Sequence, residues 1–328
     1  MQKIPDNIIF SNFASPVSPE KSWQLESFLL KIFEFGNYSF RRALQSQLSP
    51  ELQCTFFIAR HNDTIIAAAG ALHSIENPSV ALFGPVCADP QYRNLGLAGK
   101  VSQLLLDHLQ TVNVEAVYLG VNPDNPAVHL YEKLGFVKLA GIVLRKLFVD
   151  EQTFNKRYSP SRKTSIQPLN WHNFPEVSAL LCEPADMYTI DFARRIYSTR
   201  YAQPTKFLPV FPEMMAAVEK KAAVYNVLRN DDSAAIVGIA SITLPTHSLA
   251  VLDFFMLDDF LENVSDLVAH TIGQYKAEHS GKVLCWCLAC DTMKIEILKT
   301  LNAKPYSALP EFLSIANAPA DVLIYQMA

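Results

Sequence analysis

"QYRNLGLAGK", residues 91–100, places Arg93, Gly96, Ala98 and Gly99 directly ahead of an apolar helical pattern. Small residues at the start of a helix let backbone N–H groups approach an anion closely, and the helix N-terminus adds positive potential. The stretch therefore reads as an anion cradle, and the question is which anion it suits. A Walker A loop requires G-x-x-x-x-G-K-[ST]. Here Val101 follows Gly99-Lys100, and Asn94 stands where the first glycine belongs. A dinucleotide fingerprint requires G-x-G-x-x-G and an acidic residue at the end of the next strand. Gly96 and Gly99 supply only G-x-x-G, and "AVYLGVN" ends without a matching acid.

What is left is R-x-x-G-x-A, at Arg93, Gly96 and Ala98, between a strand ending near Ala88 and the helix "LAGKVSQLLLDHLQTV". Two neighbouring features narrow the reading. Gly84-Pro85 interrupts the strand just before the loop, and proline inside a strand marks an edge or a bulge. After the next strand, "NPAVHLYEKLGF" (residues 125–136) reads as a short helix that stops at Gly135.

Together, "GPVCADPQYRNLGLAGKVSQLLLDHL" and A-x-x-L-Y-x-x-x-G-F, at Ala127, Leu130, Tyr131, Gly135 and Phe136, resemble the GNAT superfamily of acyl-CoA-dependent N-acyltransferases. The resemblance is strong over roughly residues 50–148. It implies acetyl-CoA as co-substrate, with its pyrophosphate held by Arg93, Asn94, Leu95, Gly96, Leu97, Ala98, Gly99 and Lys100. It further implies a bulged strand that splays from its parallel neighbour, so that the backbone of Val86, Cys87 and Ala88 holds the pantetheine arm. An N–H near Val86 would then polarise the thioester carbonyl. Many relatives place an asparagine three residues before the alanine. Asp124 stands there, so polar contacts to CoA fall to the nearby Asn122 and Asn125. Tyr131, also a CoA contact, is implied as the general acid to the leaving thiolate.

The implied reaction is direct transfer of an acetyl group to a primary amine, with a small molecule expected as the acceptor. Two alternatives stand beside it: acetylation of protein amines, and acyl-CoA binding or sensing without turnover. An alkyl ammonium must lose a proton before it attacks, and the nearest titratable groups to the bulged strand are Glu76 and His73. Cys87 is an unneeded nucleophile in a direct transfer. Acceptor contacts are expected from Tyr38, Phe40 and Arg41, near the first two helices.

The order of elements then recurs. Placing Ser79 on Ser248 brings Leu134 to within two residues of Leu301, a period of about 168 residues and far beyond a solenoid repeat. The expected fold is therefore α/β (α+β), with two tandem GNAT-like domains, each a mixed, mostly antiparallel sheet with flanking helices. Residues 1–154 are read as the catalytic domain, the basic, Ser-rich stretch 155–164 as a linker, and 165–328 as a degenerate copy. The segment corresponding to the cradle, "MLDDFLENVSDLVAH", has no glycine and carries Asp258, Asp259 and Glu262, which repel phosphate. Tyr131 falls on Leu298. The second copy is expected to lack a CoA site.

Composition fits this picture. Of 328 residues, half are apolar and 18% charged, with a net charge of −4 and no long block of Lys or Arg, which disfavours nucleic acid as a partner. "MQKIPDNIIFSNF" lacks the apolar core of a signal peptide, and no apolar run approaches the roughly 20 residues that span a bilayer. A cytoplasmic monomer or homodimer without membrane contact is expected. Cys287 and Cys290 have C-x-x-C spacing, but nothing nearby completes four ligands, so no metal is expected and Cys285 and Cys287 read as strand core.

Overall fold

The computed structural model describes residues 7–33, 38–161, 163–182, 187–191, 196–198, 204–246, 249–315 and 318–327. The chain forms two compact units, Met1–Phe154 with Trp171–Pro175, and Asn155–Asn170 with Glu176–Ala328.

The first unit runs β1 (Ile8–Ala14), α1 (Pro19–Phe33), α2 (Tyr38–Leu44), β2 (Leu52–His61), β3 (Thr64–Ser74), β4 (Val80–Ala88), α3 (Leu97–Thr111), β5 (Ala116–Gly120), α4 (Val128–Lys133), β6 (Val137–Ala140), β7 (Val143–Leu147) and α5 (Glu151–Asn155). Its sheet has the order β1-β2-β3-β4-β5-β7-β6. The neighbours pair antiparallel except β4 and β5. The β2–β3 turn is Asn62-Asp63, with φ of 48° and 64°. Positive φ at both central residues is the two-residue turn that matches strand twist, and Asn and Asp tolerate it best. Along β2 the side chains alternate. Phe56 is fully buried and meets the Phe40 ring of α2 at 5.6 Å, while Phe57 faces His108 of α3. Gly70 of β3 makes room for Phe56, since a Cβ there would stand 2.5 Å from the ring. Helix α3 buries Val101, Leu105, Leu106 and Leu109, one helical face, against the sheet.

The second unit runs β8 (Thr164–Pro168), α6 (Phe174–Leu180), β9 (Thr189–Asp191), β10 (Ile196–Ser198), α7 (Pro204–Glu219), β11 (Ala223–Asn230), β12 (Ile236–Thr246), β13 (Leu249–Met256), α8 (Val264–Glu278), β14 (Val283–Leu288), α9 (Thr292–Thr300), β15 (Lys304–Ile315) and β16 (Ala318–Gln326). Its sheet, β15-β16-β14-β13-β12-β11-β8, reproduces the strand order of the first in reverse listing, with β13 and β14 as the parallel pair. The duplication expected from the sequence is thus present at the level of topology.

Within the stretch 155–164, residues 156–158 are folded rather than a solvated spacer. Lys156–Tyr158 make a 3-10 turn in which Arg157 and Tyr158 are buried. An Arg157 guanidinium nitrogen donates to Glu176 at 2.6 Å. A basic run reads as solvent-exposed only while its partner carboxylate, here 19 residues on, is out of view.

Candidate active site

The parallel pairing of β4 with β5 ends early. It joins Val80 to Ala116, Ala81 to Val117 and Leu82 to Tyr118, and no further pairs follow. On its other side β4 stays paired with β3, but Ala71 faces Phe83 while Ala69 faces Val86. Gly84 and Pro85 therefore stand opposite the single residue Gly70, which is a bulge. Beyond it, the Asp89 N–H donates to Ile66 O at 2.8 Å. Antiparallel alternation then turns the N–H and C=O groups of Val86 and Ala88 away from β3, toward the β5 side where β4 has no partner strand. The bulge expected from Gly84-Pro85 is present, and it opens a strip of unpaired backbone.

That strip runs into the cradle. Asp89 caps a 3-10 turn, Pro90–Tyr92, by accepting the Gln91 N–H at 3.0 Å. Its other carboxylate oxygen accepts Lys31 Nζ from α1 at 2.7 Å. The Lys31 hydrogen bond holds the Asp89 carboxyl below the usual range, against the opposing effect of burial. Tyr92 is tied down by His61, whose Nδ1 lies 2.8 Å from the phenol oxygen. The chain then turns through Asn94 (φ 64°) and Gly96 (φ 76°) into α3. Lys100 is the first N–H to find a helical acceptor, Gly96 O at 3.0 Å, and no side chain caps the helix. The N–H groups of Leu97, Ala98 and Gly99 accordingly point out of the helix end. A Cβ at Gly96 would meet nothing within 4 Å, whereas one at Gly99 would meet Leu130 of α4 at 3.3 Å. The first glycine thus serves backbone conformation, and the second serves close packing of two helices. Arg93, Asn94 and Lys100 are exposed around this end, with Leu97 buried beneath it.

Tyr131 is set by the end of its own helix. Gly135 (φ 86°) donates its N–H to Glu132 O at 3.0 Å, and Phe136 donates to Tyr131 O at 3.0 Å. This is the Schellman arrangement, in which the residue after the left-handed position packs on the residue whose carbonyl it caps. The Phe136 and Tyr131 ring centroids are 5.9 Å apart, and Phe83 of β4 meets Tyr131 edge-on at 6.5 Å. Burial, with a smaller contribution from Cys87, pushes the phenol up to about 12. Among the described residues its hydroxyl has no hydrogen-bond partner.

Other expected site residues lie elsewhere or are already engaged. His73 stands opposite Ala81, five residues before Val86 and roughly 15 Å back along the strand, and Glu76 is farther still. Neither is brought to the open edge. His73 is buried, its Nδ1 meets Ser74 O at 3.0 Å, and burial pulls it toward the neutral form. Glu76 instead groups with Glu51 and His172, with ligand-type atoms within 4.8 Å of one another, and His172 pairs with Glu51 at 2.9 Å. Phe40 is core, 6% exposed, rather than a wall of an acceptor pocket. Arg41 is tied to α1, pairing with Glu26 at 3.0 Å and stacking 4.5 Å over Trp23. The Tyr38 side chain lies outside the described residues. Asn122 and Asn125 are exposed in the β5–α4 loop, where their side-chain oxygens accept the N–H groups of Asp124 and Ala127. Among the described residues their amide N–H groups have no hydrogen-bond partner. Asp89 and Lys31 were not singled out from the sequence, although Asp before Pro is a recognisable turn-capping signal.

Burial pushes the Cys87 thiol up to about 12, so almost none is thiolate at neutral pH. Replacement by alanine is expected to leave turnover within about threefold of wild type. A loss beyond about 100-fold with unchanged folding would restore it as a nucleophile.

The second unit treats the corresponding gap differently. β13 and β14 also part after three parallel pairs, the last being Leu252 with Cys285. However, β13 carries no bulge at the divergence, since Ser241–Asp253, Ala240–Phe254 and Gly238–Met256 stay in register. Helix α9 ends in the same Schellman geometry: Asn302 has φ 56°, and Ala303 donates to Leu298 O at 2.9 Å. Leu298 therefore holds the place of Tyr131, as the repeat alignment expects, and Lys294 holds that of Ala127. Lys294 is fully buried, pairs with Asp253 at the divergence and donates to Tyr188 O at 2.9 Å. Tyr188 N–H in turn donates to Asp291 at 2.8 Å, and β9, which follows it, packs against both β13 and β14. The gap is thus occupied by the chain itself. Cys285 and Cys287 are buried in β14, while Cys290 is exposed.

Among the described residues, no helix is long and apolar enough to cross a membrane. Comparison with known proteins places residues 21–136 in the acetyltransferase (GNAT) family. No curated protein matches the sequence. Among solved structures, the ribosomal-protein-S5-alanine acetyltransferase of Vibrio fischeri is 12% identical, with a TM-score of 0.42 over 51% of this chain and 93% of its own. The spermidine/spermine N-acetyltransferase of Vibrio cholerae is 9% identical, with a TM-score of 0.39 over 51% of this chain and 94% of its own. The Escherichia coli ribosomal-protein-S18-alanine N-acetyltransferase is 11% identical, with a TM-score of 0.37 over 50% and 93%. Likeness of this degree says nothing of substrate. The segment with the bulged strand, the uncapped α3 and Tyr131 is the segment that matches, and residues 21–136 are a GNAT-family acetyltransferase domain.

Proposed function

We propose that the protein is an N-acetyltransferase that moves an acetyl group from acetyl-CoA directly to a primary amine of a small molecule, using the first unit alone. The observation that carries this reading is the continuity of three features: the unpaired β4 backbone at Val86 and Ala88, the open N-terminus of α3, and Tyr131 against Phe83 of the same strand. A long ligand with an amide-bearing arm and a diphosphate suits the first two. Acetyl-CoA supplies the thioester. Val86 and Ala88 would pair with the pantetheine amides, and the Gly96–Gly99 backbone with Arg93 and Lys100 would hold the diphosphate.

Tyr131 would donate to sulfur as the C–S bond breaks. A phenol at about 12 stays protonated at neutral pH, so the donor is always loaded. Full transfer to an ordinary thiolate near 8.5 would be uphill by ~5 kcal/mol. The same burial raises a thiolate's proton affinity and narrows that difference. The role therefore rests on a hydrogen bond that strengthens as negative charge develops.

Because His73 and Glu76 are not at the edge, we propose that the amine loses its proton to solvent before or as it enters. At fixed subsaturating amine, kcat/KM is then expected to rise about tenfold per pH unit until the amine's own pKa, near 10.4 for an alkyl amine. A plateau near pH 6–7 would instead require a protein base.

The test of the function is CoA release measured over a panel of polyamines, aminoglycosides, amino acids and peptide N-termini. Turnover above acetyl-CoA hydrolysis with a small amine supports the proposal. Turnover confined to peptides would move the acceptor class to proteins. Tight acetyl-CoA binding with no acceptor would favour a sensor.

A further inference from the structure

We infer that Lys31 is a positioning residue for the diphosphate of acetyl-CoA, acting by neutralising Asp89. The inference rests on the proposed function of the α3 cradle and adds to it a residue on a distant helix. Asp89 follows directly on the open β4 edge and precedes the cradle by four residues. A carboxylate there is a liability to an anionic ligand, since like charges at short range repel strongly where water is thin. Yet the turn needs it. Its one oxygen caps Pro90–Tyr92 through Gln91 N–H, and that turn delivers Arg93 and Asn94 to the end of α3. Arg93 also lies within the field of Asp89, whose charge competes with a phosphate's for the same guanidinium.

Lys31 resolves the conflict. Its ammonium, 2.7 Å from the second Asp89 oxygen, cancels the charge and leaves the cap in place. The pair is lopsided: the Lys31 side chain is 63% exposed and the Asp89 side chain 7%. Loss of Lys31 would leave a buried carboxylate charged without its ammonium partner, which costs stability as well as neutrality. The contact bridges 58 residues, and a role toward the ligand differs from a purely structural one in weakening only a ligand that carries the diphosphate.

The experiment compares the full-length wild type with Lys31→Met, Lys31→Arg and Lys31→Met/Asp89→Asn. Each is measured for affinity to acetyl-CoA and to S-acetylpantetheine, which lacks the diphosphate, and for thermal midpoint. Lys31→Met is expected to weaken acetyl-CoA about tenfold while leaving S-acetylpantetheine nearly unchanged, and to lower the midpoint because Asp89 is stranded. Lys31→Arg should bind like wild type. The double substitution should recover to within about threefold, because an amide oxygen still accepts the Gln91 N–H without the charge. Unchanged acetyl-CoA affinity in Lys31→Met overturns the inference. Equal weakening of both ligands, or no recovery in the double substitution, also overturns it and leaves Lys31 a packing residue. If the wild type binds no acetyl-CoA, the proposed function itself falls and carries this inference with it.

Discussion

Replacing Tyr131 with phenylalanine is expected to lower kcat about 100-fold or more, with acetyl-CoA affinity and thermal midpoint unchanged. The ring does the packing: it meets Phe83 and Phe136 edge-on, and phenylalanine keeps both contacts. The hydroxyl has no partner among the described residues, so removing it orphans nothing in the free protein. Its loss is felt only when a charged sulfur is present to accept its hydrogen bond, which places the effect in kcat rather than in binding. Alanine would be a poorer probe, since deleting a buried aromatic costs ~3–5 kcal/mol and confounds folding with chemistry. A kcat for Tyr131→Phe within about threefold of wild type would remove Tyr131 as the proton donor.

How far the sequence carried depends on whether a feature is local. The cradle is local: Gly96 and Gly99 sit at a helix start, and their two different jobs follow from left-handed φ at one and the approach of Leu130 at the other. Tyr131 is local too, because Gly135 and Phe136 define the helix end that aims it. The bulge at Gly84-Pro85 was legible from proline in a strand. The base candidates lie away from the open edge because nearness along a hairpin does not say which end of the strand a residue occupies. His73 and Glu76 flank the β3–β4 turn, and β4 must run on from Ala81 past the bulge before its open edge begins. Phe40 is buried against Phe56, and an aromatic on a short helix has the same sequence signature whether it lines a pocket or fills a core. The Lys31–Asp89 pair joins residues 58 apart, and no period or motif announces it. Arg157 looked like part of a basic linker until Glu176 was placed beside it.

Lys294 is the other residue that the sequence disguises, and its replacement by methionine should have the largest effect on stability. A lysine in "TMKIEILKT" reads as surface, but its side chain is fully buried and paired with Asp253, itself 15% exposed. Burial alone would pull the ammonium toward neutrality; Asp253, with Cys285 and Asp291, outweighs it and the net direction is upward. A group raised in the folded state contributes stability that is complete below its unfolded value, near 10.4, and fades only as pH climbs through the folded one. Measurements in neutral buffer therefore see all of it. Removing one member of a buried pair strands the other, at a cost of ~3–5 kcal/mol. By calorimetry, the transition of the second unit should fall by about 10 °C. Asp253→Leu combined with Lys294→Met should recover most of that loss, because a buried pair replaced by apolar side chains is often neutral. A shift of less than about 2 °C for Lys294→Met would mean that the pair does not hold the β13–β14 gap. The double substitution should still bind no additional acetyl-CoA. It changes what fills the gap, but leaves β13 without a bulge and the stretch 258–266 without a glycine and with Asp258, Asp259 and Glu262, so no phosphate cradle is created.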